Sequence, residues 1–210
     1  MKLINDFLNQ LRRPEGRLGT FAVRSMNVGH RGLTIKALKI LEEEISINPE
    51  TAADFGCGGG KAIESILRNF PKCHVYGYDY STTSVEQARK LNSEAIKKGR
   101  CEIIESSVDN VNLKAGSLDL ATAFETVYFW PGLEKCFSKI AEGLREGGCF
   151  LIANELVERN ETARRYENII KGLTVYSEGE IEAALHRAGF SNVKSFRKEG
   201  QVFGIFIAYK

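Results

Sequence analysis

The sequence has no long apolar run, no paired cysteine motif and no strong excess of charge of either sign, and each absence excludes a class of protein. No stretch approaches the roughly 18 apolar residues of a membrane helix, and Asp6 and Asn9 interrupt the region where a signal peptide would have its apolar core. The five cysteines are odd in number and none form a C-x-x-C pair, which favours reduced thiols over a zinc site or a disulfide framework. A net charge of +2 gives no electrostatic reason to expect nucleic acid or a membrane surface as a partner. We therefore expect a cytoplasmic protein.

The length and the apolar pattern indicate one α/β domain preceded by a short helical segment. A chain of 210 residues is long enough for one domain and short for two. Apolar residues recur at helical spacing over residues 2–12 and 33–45, and residues 16–32 between them are predicted to be irregular. Beyond residue 50, strand-like and helical patterns alternate, which is typical of a parallel sheet. We therefore predict two units, residues 1–48 and residues 49–210.

The strand pattern predicts an open sheet that ends in a hairpin. The strands predicted before the hairpin are residues 51–55, 74–78, 101–105, 118–124 and 149–153. The helices predicted in this unit are residues 61–70, 84–98, 133–144, 161–171 and 178–188. The last two strands, 193–197 and 202–209, are separated by only four residues, too few for a parallel crossover, so we expect them to be antiparallel. The expected fold is α/β, with a seven-stranded, mostly parallel sheet, an antiparallel C-terminal strand and helices on both faces.

A glycine-rich loop follows the first predicted strand and opens a helix. Glycine permits a tight turn there and lets a ligand approach the backbone, while the helix N-terminus offers free N–H groups. A phosphate-binding P-loop is disfavoured because its first glycine and its Ser/Thr are missing. A dinucleotide G-x-G-x-x-G motif would put Lys61 where close helix packing needs a small residue. The pattern that fits is an acid followed by G-x-G-x-G, formed by Asp54, Gly56, Gly58 and Gly60.

Asp79 at the end of the second predicted strand is the second element of a nucleotide site. It follows the glycine loop by about 20 residues, the spacing at which a carboxylate reaches the hydroxyls of an adenosine ribose. Both NAD and S-adenosylmethionine (SAM) carry such a ribose, so this residue alone does not choose between them. A helix N-cap is the alternative role for Asp79.

The loop Asp54–Gly60, Asp79 and the order of the strands together resemble the class I SAM-dependent methyltransferases over about residues 49–210. The resemblance implies a Rossmann-like fold in which the glycine loop holds the methionine part of SAM and Asp54 supports that loop. It also implies that residues 107–109 contact the adenine, although Ser107 stands where an Asp is common in the family. The cofactor-binding residues expected on this basis are Asp54, Gly56, Cys57, Gly58, Gly60, Asp79, Tyr80, Ser107, Val108, Asp109 and Phe124.

Candidate catalytic residues follow the fourth predicted strand, since ligands of open α/β sheets bind at the carboxyl ends of the strands. Glu125, Tyr128 and Trp130 are expected to face the methyl acceptor there, and the two aromatic rings suit an aromatic or cationic molecule. The N-terminal unit resembles a helical cap found in a bacterial subset of small-molecule methyltransferases. We therefore expect residues 1–48 to cover the site and His30 to contact the substrate or the amino-acid end of the cofactor, with a structural role for His30 as the alternative.

The expected activity is methyl transfer from SAM to a small molecule, leaving S-adenosylhomocysteine (SAH) and using no metal. An NAD(P)-dependent oxidoreductase and a non-catalytic SAM-binding protein are the alternatives that the sequence leaves open. We expect no nucleic-acid or membrane partner, and either a monomer or a homodimer.

Overall fold

The computed structural model describes residues 9–10, 12–45, 48–197 and 203–210. The helix predicted over residues 2–12 lies mostly outside the described residues. Within them, no helix is long and apolar enough to cross a membrane.

One seven-stranded sheet forms the centre of the molecule, in the order β3-β2-β1-β4-β5-β7-β6. Its strands are β1 (Thr51–Phe55), β2 (His74–Asp79), β3 (Cys101–Glu105), β4 (Leu118–Phe124), β5 (Leu144–Asn154), β6 (Asn192–Ser195) and β7 (Gly204–Tyr209). The first five strands are parallel to one another, and β7 is antiparallel to both of its neighbours, β5 and β6. The seven-stranded, mostly parallel sheet with a C-terminal hairpin is therefore confirmed.

Helices cover both faces of this sheet. The helices are α1 (Gly16–Gly29), α2 (Arg31–Glu44), α3 (Lys61–Asn69), α4 (Thr82–Leu91), α5 (Ser93–Lys97), α6 (Leu133–Gly143), α7 (Glu161–Ile169) and α8 (Glu178–Arg187). Alternate residues of β5 point to opposite faces: Phe150 joins an apolar cluster with α6 and α8, and Leu151 joins a second cluster with α2, α3 and α4. The sheet is thus buried on both sides, as parallel sheets generally are.

The segment predicted to be irregular between residues 16 and 32 is helical, so that prediction was wrong. It forms α1, and His30 alone separates α1 from the start of α2 at Arg31. Four glycines lower the helix propensity of this stretch, each by up to about 1 kcal/mol relative to alanine. Burial outweighs that loss, because Gly19, Ala22 and Val23 lie at i, i+3 and i+4 spacing and are buried.

The helix predicted over residues 84–98 is divided at Asn92 into α4 and α5. The buried Asn92 side chain donates hydrogen bonds from Nδ2 to the carbonyl oxygens of Gly60 and Ala88, each at 3.0 Å. Asn92 therefore ends α4 and ties it to the glycine loop at the same time.

Candidate active site

A cleft of about 420 Å³ lies at the carboxyl ends of the first four strands and beneath the junction of α1 and α2. Loop residues after β1, β2, β3 and β4 form its floor, and residues of α1, α2 and the His30 junction form its cover. The residues named in the sequence prediction that line it are His30, Gly56, Cys57, Gly58, Asp79, Tyr80, Ser107, Val108, Asp109, Phe124, Glu125 and Trp130. Asp54, Gly60 and Tyr128 lie outside this lining.

Two positions in the loop require glycine for steric reasons. Gly56 has a φ of +75°, and a Cβ atom there would lie 1.9 Å from Thr126 Oγ1. Gly60 has a φ of +78°, and its Cβ would lie 2.5 Å from Asn92 Nδ2. Both positions therefore have the left-handed backbone that favours glycine and no room for a side chain.

Asp79 fixes the conformation of the loop that it faces. Its Oδ2 accepts a hydrogen bond from the Gly58 amide and its Oδ1 accepts one from the Ser81 amide, both at 2.9 Å. Burial raises the pKa of Asp79, and these hydrogen bonds oppose the rise. A carboxylate offers about four acceptor positions, so two bonds to the backbone leave capacity for ribose hydroxyls.

Asp54 lies behind the loop instead of in the cleft. Its side chain is 1% exposed, and Thr122 Oγ1 donates a hydrogen bond of 2.7 Å to its Oδ1. Burial raises the pKa of Asp54 to about 7, partly offset by the Thr122 hydrogen bond. The residue can support the loop from below, while the contribution of Thr122 was not foreseen from the sequence.

The segment after β3 brings polar groups to the far end of the cleft. Val108 is buried there, and Ser107 Oγ donates a hydrogen bond to Asp109 Oδ1. That hydrogen bond, with a second one from Lys135 Nζ at 3.2 Å, lowers the pKa of Asp109. Asp109 is thus committed to neighbouring side chains, which leaves the backbone of this segment and the Val108 side chain to meet a ligand.

Glu125 occupies the floor of the cleft directly after β4. Its φ of 57° makes it the only non-glycine residue with a positive φ in the described part of the chain. Its side chain is only 9% exposed, and it accepts hydrogen bonds from the Glu155 amide and, at 3.3 Å, from the Tyr128 hydroxyl. Burial, reinforced by the nearby Glu155 carboxylate, raises the pKa of Glu125 well above its ordinary value. A left-handed backbone costs about 1–2 kcal/mol for such a residue, and strain of this kind concentrates at functional sites.

His30 reaches the same point from the helical cover. Its Nδ1 lies 3.8 Å from Glu125 Oε2, which is within ion-pair range but longer than a hydrogen bond. Burial lowers the pKa of His30, and the charge of Glu155 opposes this shift. The fold therefore joins two predicted catalytic residues that are far apart in the sequence.

Tyr128 and Trp130 have different surroundings. Tyr128 is buried behind Glu125, where its hydroxyl accepts a hydrogen bond of 2.9 Å from the Leu156 amide. Trp130 lines the cleft, and its Nε1 donates a hydrogen bond of 3.2 Å to Thr126 Oγ1. Trp130 is thus the one of the two that lines the cleft, while the Tyr128 hydroxyl donates a hydrogen bond to Glu125 from behind.

The sequence prediction missed most of the residues that the cover contributes. Met26, Asn27, Arg31 and Thr34 line the cleft from α1 and α2, and Phe129 does so from the floor. Apolar spacing marks a helix face that packs on the core, and it gives no signal for residues that overhang a cleft.

The cover packs directly on the glycine loop. A Cβ atom at Gly59 would lie 2.5 Å from Asn27 Nδ2 and 2.6 Å from Val23 Cγ1.

Metal ligands and disulfides do not contribute to the described part of the site. Among the described residues, no cluster of His, Cys, Asp or Glu could hold a metal ion. All five cysteines are buried and form no disulfide bond.

Residues 53–152 match the family model described as a methyltransferase domain. Residues 53–152 form a methyltransferase domain. The match runs from β1 to β5 and contains every proposed cofactor-binding residue, whereas His30 lies outside it. The resemblance to class I SAM-dependent methyltransferases is therefore confirmed, and the oxidoreductase alternative loses its support.

Curated relatives agree with this family at low identity. The trans-aconitate 2-methyltransferase of Afipia carboxidovorans is 29% identical over 57% of this chain and 44% of its own length. The malonyl-[acyl-carrier protein] O-methyltransferase of Legionella pneumophila is 22% identical over 68% of this chain and 51% of its own length. The chain thus spans about half the length of these relatives.

Solved structures confirm the fold around the methyltransferase domain. A phosphoethanolamine N-methyltransferase of Haemonchus contortus, in complex with SAH, matches with a TM-score of 0.79 and 15% identity over 97% of this chain and 60% of its own. Human N-acetylserotonin methyltransferase, in complex with SAM, matches with a TM-score of 0.68 and 17% identity over 92% of this chain and 55% of its own. At these identities the likeness establishes a Rossmann-like methyltransferase fold.

Proposed function

We propose that this protein transfers a methyl group from SAM to a small-molecule acceptor. One observation carries the proposal: in a methyltransferase domain, a glycine loop and the carboxylate of Asp79 face one cleft at the carboxyl ends of the strands. When bound, SAM supplies a methyl group on a sulfonium, which is already activated for attack by a nucleophile.

The cleft has the size and the lining that SAM needs. Its volume of about 420 Å³ lies in the range of about 300–1,000 Å³ that is usual for pockets of small organic ligands. Gly58 has no atom within 4 Å of its Cβ position, so the backbone there is open to a ligand that a side chain would displace. We assign the loop around Gly58 to the methionine part, Asp79 to the ribose hydroxyls, and Val108 with Tyr80 to the adenine.

The N-terminal helices act as a cap over this site. Val23 and Asn27 pack against Gly59, and His30 and Arg31 overhang the cleft. Methyl transfer needs mainly alignment of the reacting groups and exclusion of water, and a cap of this kind supplies both. A cleft at the small end of the usual range holds SAM with limited additional room, which favours a small acceptor.

Calorimetry tests the cofactor assignment. We expect SAM and SAH to bind and NAD to bind at least tenfold more weakly. Asp79→Asn should weaken SAH binding about tenfold or more, equal to about 1.4 kcal/mol, because one ribose acceptor is lost. Glu94→Gln, which changes an exposed carboxylate paired with Lys97, is the matched control and should leave SAH affinity unchanged. Preference for NAD, or unchanged SAH affinity in Asp79→Asn, would contradict the assignment.

Turnover distinguishes an enzyme from a non-catalytic SAM-binding protein. Protein supplied with methyl-labelled SAM and a panel of small hydroxyl, amine and carboxylate compounds should transfer label to at least one class. Binding of SAM without any transfer would favour the non-catalytic alternative.

A further inference from the structure

The cap and the end of β4 together hold a pair of titratable side chains at the floor of the cleft. His30 Nδ1 and Glu125 Oε2 are 3.8 Å apart, and both residues line the cleft. With Nδ1 turned toward Glu125, the other ring nitrogen, Nε2, is left to meet a bound molecule. In structures without substrate, catalytic hydrogen bonds are often long and shorten when the complex forms.

We propose that His30 and Glu125 act as one proton-accepting pair and that the methyl acceptor is a hydroxyl group on an aromatic ring. The proposal rests on the proposed function and adds to it the class of the acceptor.

The backbone holds Glu125 in place for this role. Glu125 has the left-handed conformation described above, and it accepts hydrogen bonds from the Glu155 amide and the Tyr128 hydroxyl. Neither donor carries a charge, so these two groups give the Glu125 carboxylate hydrogen bonds but no ion pair. An imidazolium at His30, formed when the neutral ring accepts a proton, would give this carboxylate a cation 3.8 Å away.

Other charged groups around the pair shift the pKa values of its two members. Glu155 lies beside both residues and raises the pKa of each. The further titratable or charged residues that face the pair or line the same cleft are Arg12, Arg31, Cys57, Lys61, Asp79, Tyr80, Asp109 and Tyr128. Because burial disfavours a charge on either partner, the pair binds its first proton more readily than an exposed glutamate would, and the proton belongs to the pair rather than to one residue.

The need for a base points to a hydroxyl acceptor. A carboxylate is already ionised at neutral pH, and a neutral amine attacks with its own lone pair, so neither requires a base at the moment of attack. A hydroxyl must lose its proton as the new bond to carbon forms. The aromatic side chains of Phe124, Phe129 and Trp130 line the cleft next to Glu125, which suits a hydroxyl carried by an aromatic ring.

The proposed step balances in atoms and charge. The hydroxyl oxygen forms a bond to the methyl carbon, the bond between that carbon and sulfur breaks, and the electron pair stays on sulfur, which becomes the neutral thioether of SAH. The hydroxyl proton passes to His30 Nε2, and Glu125 stabilises the imidazolium. The positive charge thus moves from the sulfonium to the His30–Glu125 pair, which later releases its proton to water.

NMR titration of the histidine rings tests the pair without any substrate. The chain has three histidines, and His186, whose Nδ1 lies 3.2 Å from the Phe190 carbonyl oxygen, serves as the internal reference. We expect His30 to titrate in two steps in the wild type and in one step in Glu125→Gln, while the His186 curve stays the same. Identical His30 curves in the two proteins would overturn the pairing. Glu125→Gly, which suits the positive φ, provides a second variant if the amide does not fold.

Methylation of a panel of phenols, amines and carboxylic acids tests the acceptor class. We expect transfer to phenol oxygen, with a rate that rises with pH until the pair has lost its proton. His30→Gln should lower this rate about 100-fold or more, as removal of a general base generally does, without changing SAH affinity by more than about threefold. Transfer chiefly to amines or carboxylates, or a rate independent of pH, would overturn the proposal. Failure of SAH to bind in calorimetry would instead count against the proposed function.

Discussion

Gly56 and Thr126 lie so close together that position 56 cannot hold any side chain without moving the threonine. The Cβ position of Gly56 is 1.9 Å from Thr126 Oγ1, and the same oxygen accepts the hydrogen bond from Trp130 Nε1 at 3.2 Å. The loop proposed to hold the cofactor is therefore linked through Thr126 to Trp130, which is proposed to face the acceptor.

Gly56→Ala should disturb both halves of the site. The new methyl group would displace Thr126, weaken its hydrogen bond with Trp130 and strain a left-handed backbone, so we expect a loss of about 2–4 kcal/mol in the free energy of unfolding. Urea denaturation measures this loss. Trp130 fluorescence should change as well, since the indole loses its partner, and an unchanged spectrum would contradict the steric argument.

Gly58→Ala should separate cofactor binding from stability. Position 58 has a φ of +51° and no atom within 4 Å of its Cβ position, so the substitution should cost only the strain of about 1–2 kcal/mol. SAH affinity should nonetheless fall at least tenfold, because the methyl group enters the cleft. Gly99→Ala is the matched control, with a φ of +67° and an equally open Cβ position outside the cleft lining. If both variants bound SAH like the wild type, Gly58 would not contact the cofactor.

Asp54→Asn should change how stability depends on pH. Since burial raises the folded-state pKa of Asp54 to about 7, above an unfolded value of about 3.9, the protonated acid stabilises the fold at low pH. This contribution is fully present below about pH 4 and is lost as the pH rises to about 7, a change of about 4 kcal/mol.

The asparagine cannot ionise and can still accept the Thr122 hydrogen bond. The difference in unfolding free energy between variant and wild type should therefore shift in favour of the variant from pH 4 to pH 7.5 and then level off. Urea denaturation at several pH values measures it, with Glu94→Gln as the exposed control. Parallel pH profiles for Asp54→Asn and the wild type would show that folding does not raise the pKa of Asp54.

Gly59→Ala should loosen the cap. Its Cβ would lie 2.5 Å from Asn27 Nδ2 and 2.6 Å from Val23 Cγ1, so these side chains of α1 must move and their packing on the loop must loosen. We expect faster amide hydrogen exchange in α1, with little change in α6 on the other face of the sheet. Adding Asn27→Ala should restore part of the protection by making room. Gly179→Ala in α8, whose Cβ position is open, is the control variant. Faster amide exchange in this variant as well would point to global destabilisation.

Tyr128→Phe should test the role of Tyr128 behind Glu125. The Leu156 amide would lose its acceptor and Glu125 would lose a donor, which should destabilise the fold by about 1–3 kcal/mol. Because that hydrogen bond lowers the pKa of Glu125, its removal should raise the pKa further. A His30 titration curve that shifts with it would report this, whereas an unshifted curve would argue against the Tyr128–Glu125 contact.

The sheet and its strand ends could be predicted because local patterns determine them. β1, β3 and β4 have the predicted bounds, since short apolar runs bounded by turn residues are distinctive. The position of Asp79 at the cleft was predicted from its spacing to the glycine loop, and the loop was predicted from its pattern of an acid followed by G-x-G-x-G.

The cap and the depth of each side chain could not be predicted in the same way. The glycines and Asn27 have low helix propensity, so the sequence did not predict α1. Burial of Ala22 and Val23 in the folded protein stabilises this helix. Nothing local indicates that Tyr128 is behind Glu125 while Trp130 lines the cleft. The approach of His30 to Glu125 depends on how α1 and α2 lie over β4, which is a property of the whole fold.

His30 is also the single residue that joins α1 to α2. Any tilt of α1 that widened the mouth of the cleft would pull the imidazole away from the end of β4. His30 and Glu125 would consequently be paired only when the cap is closed. With the cap open, SAM would be exposed to water, but no base would be in position to help a water molecule accept the methyl group.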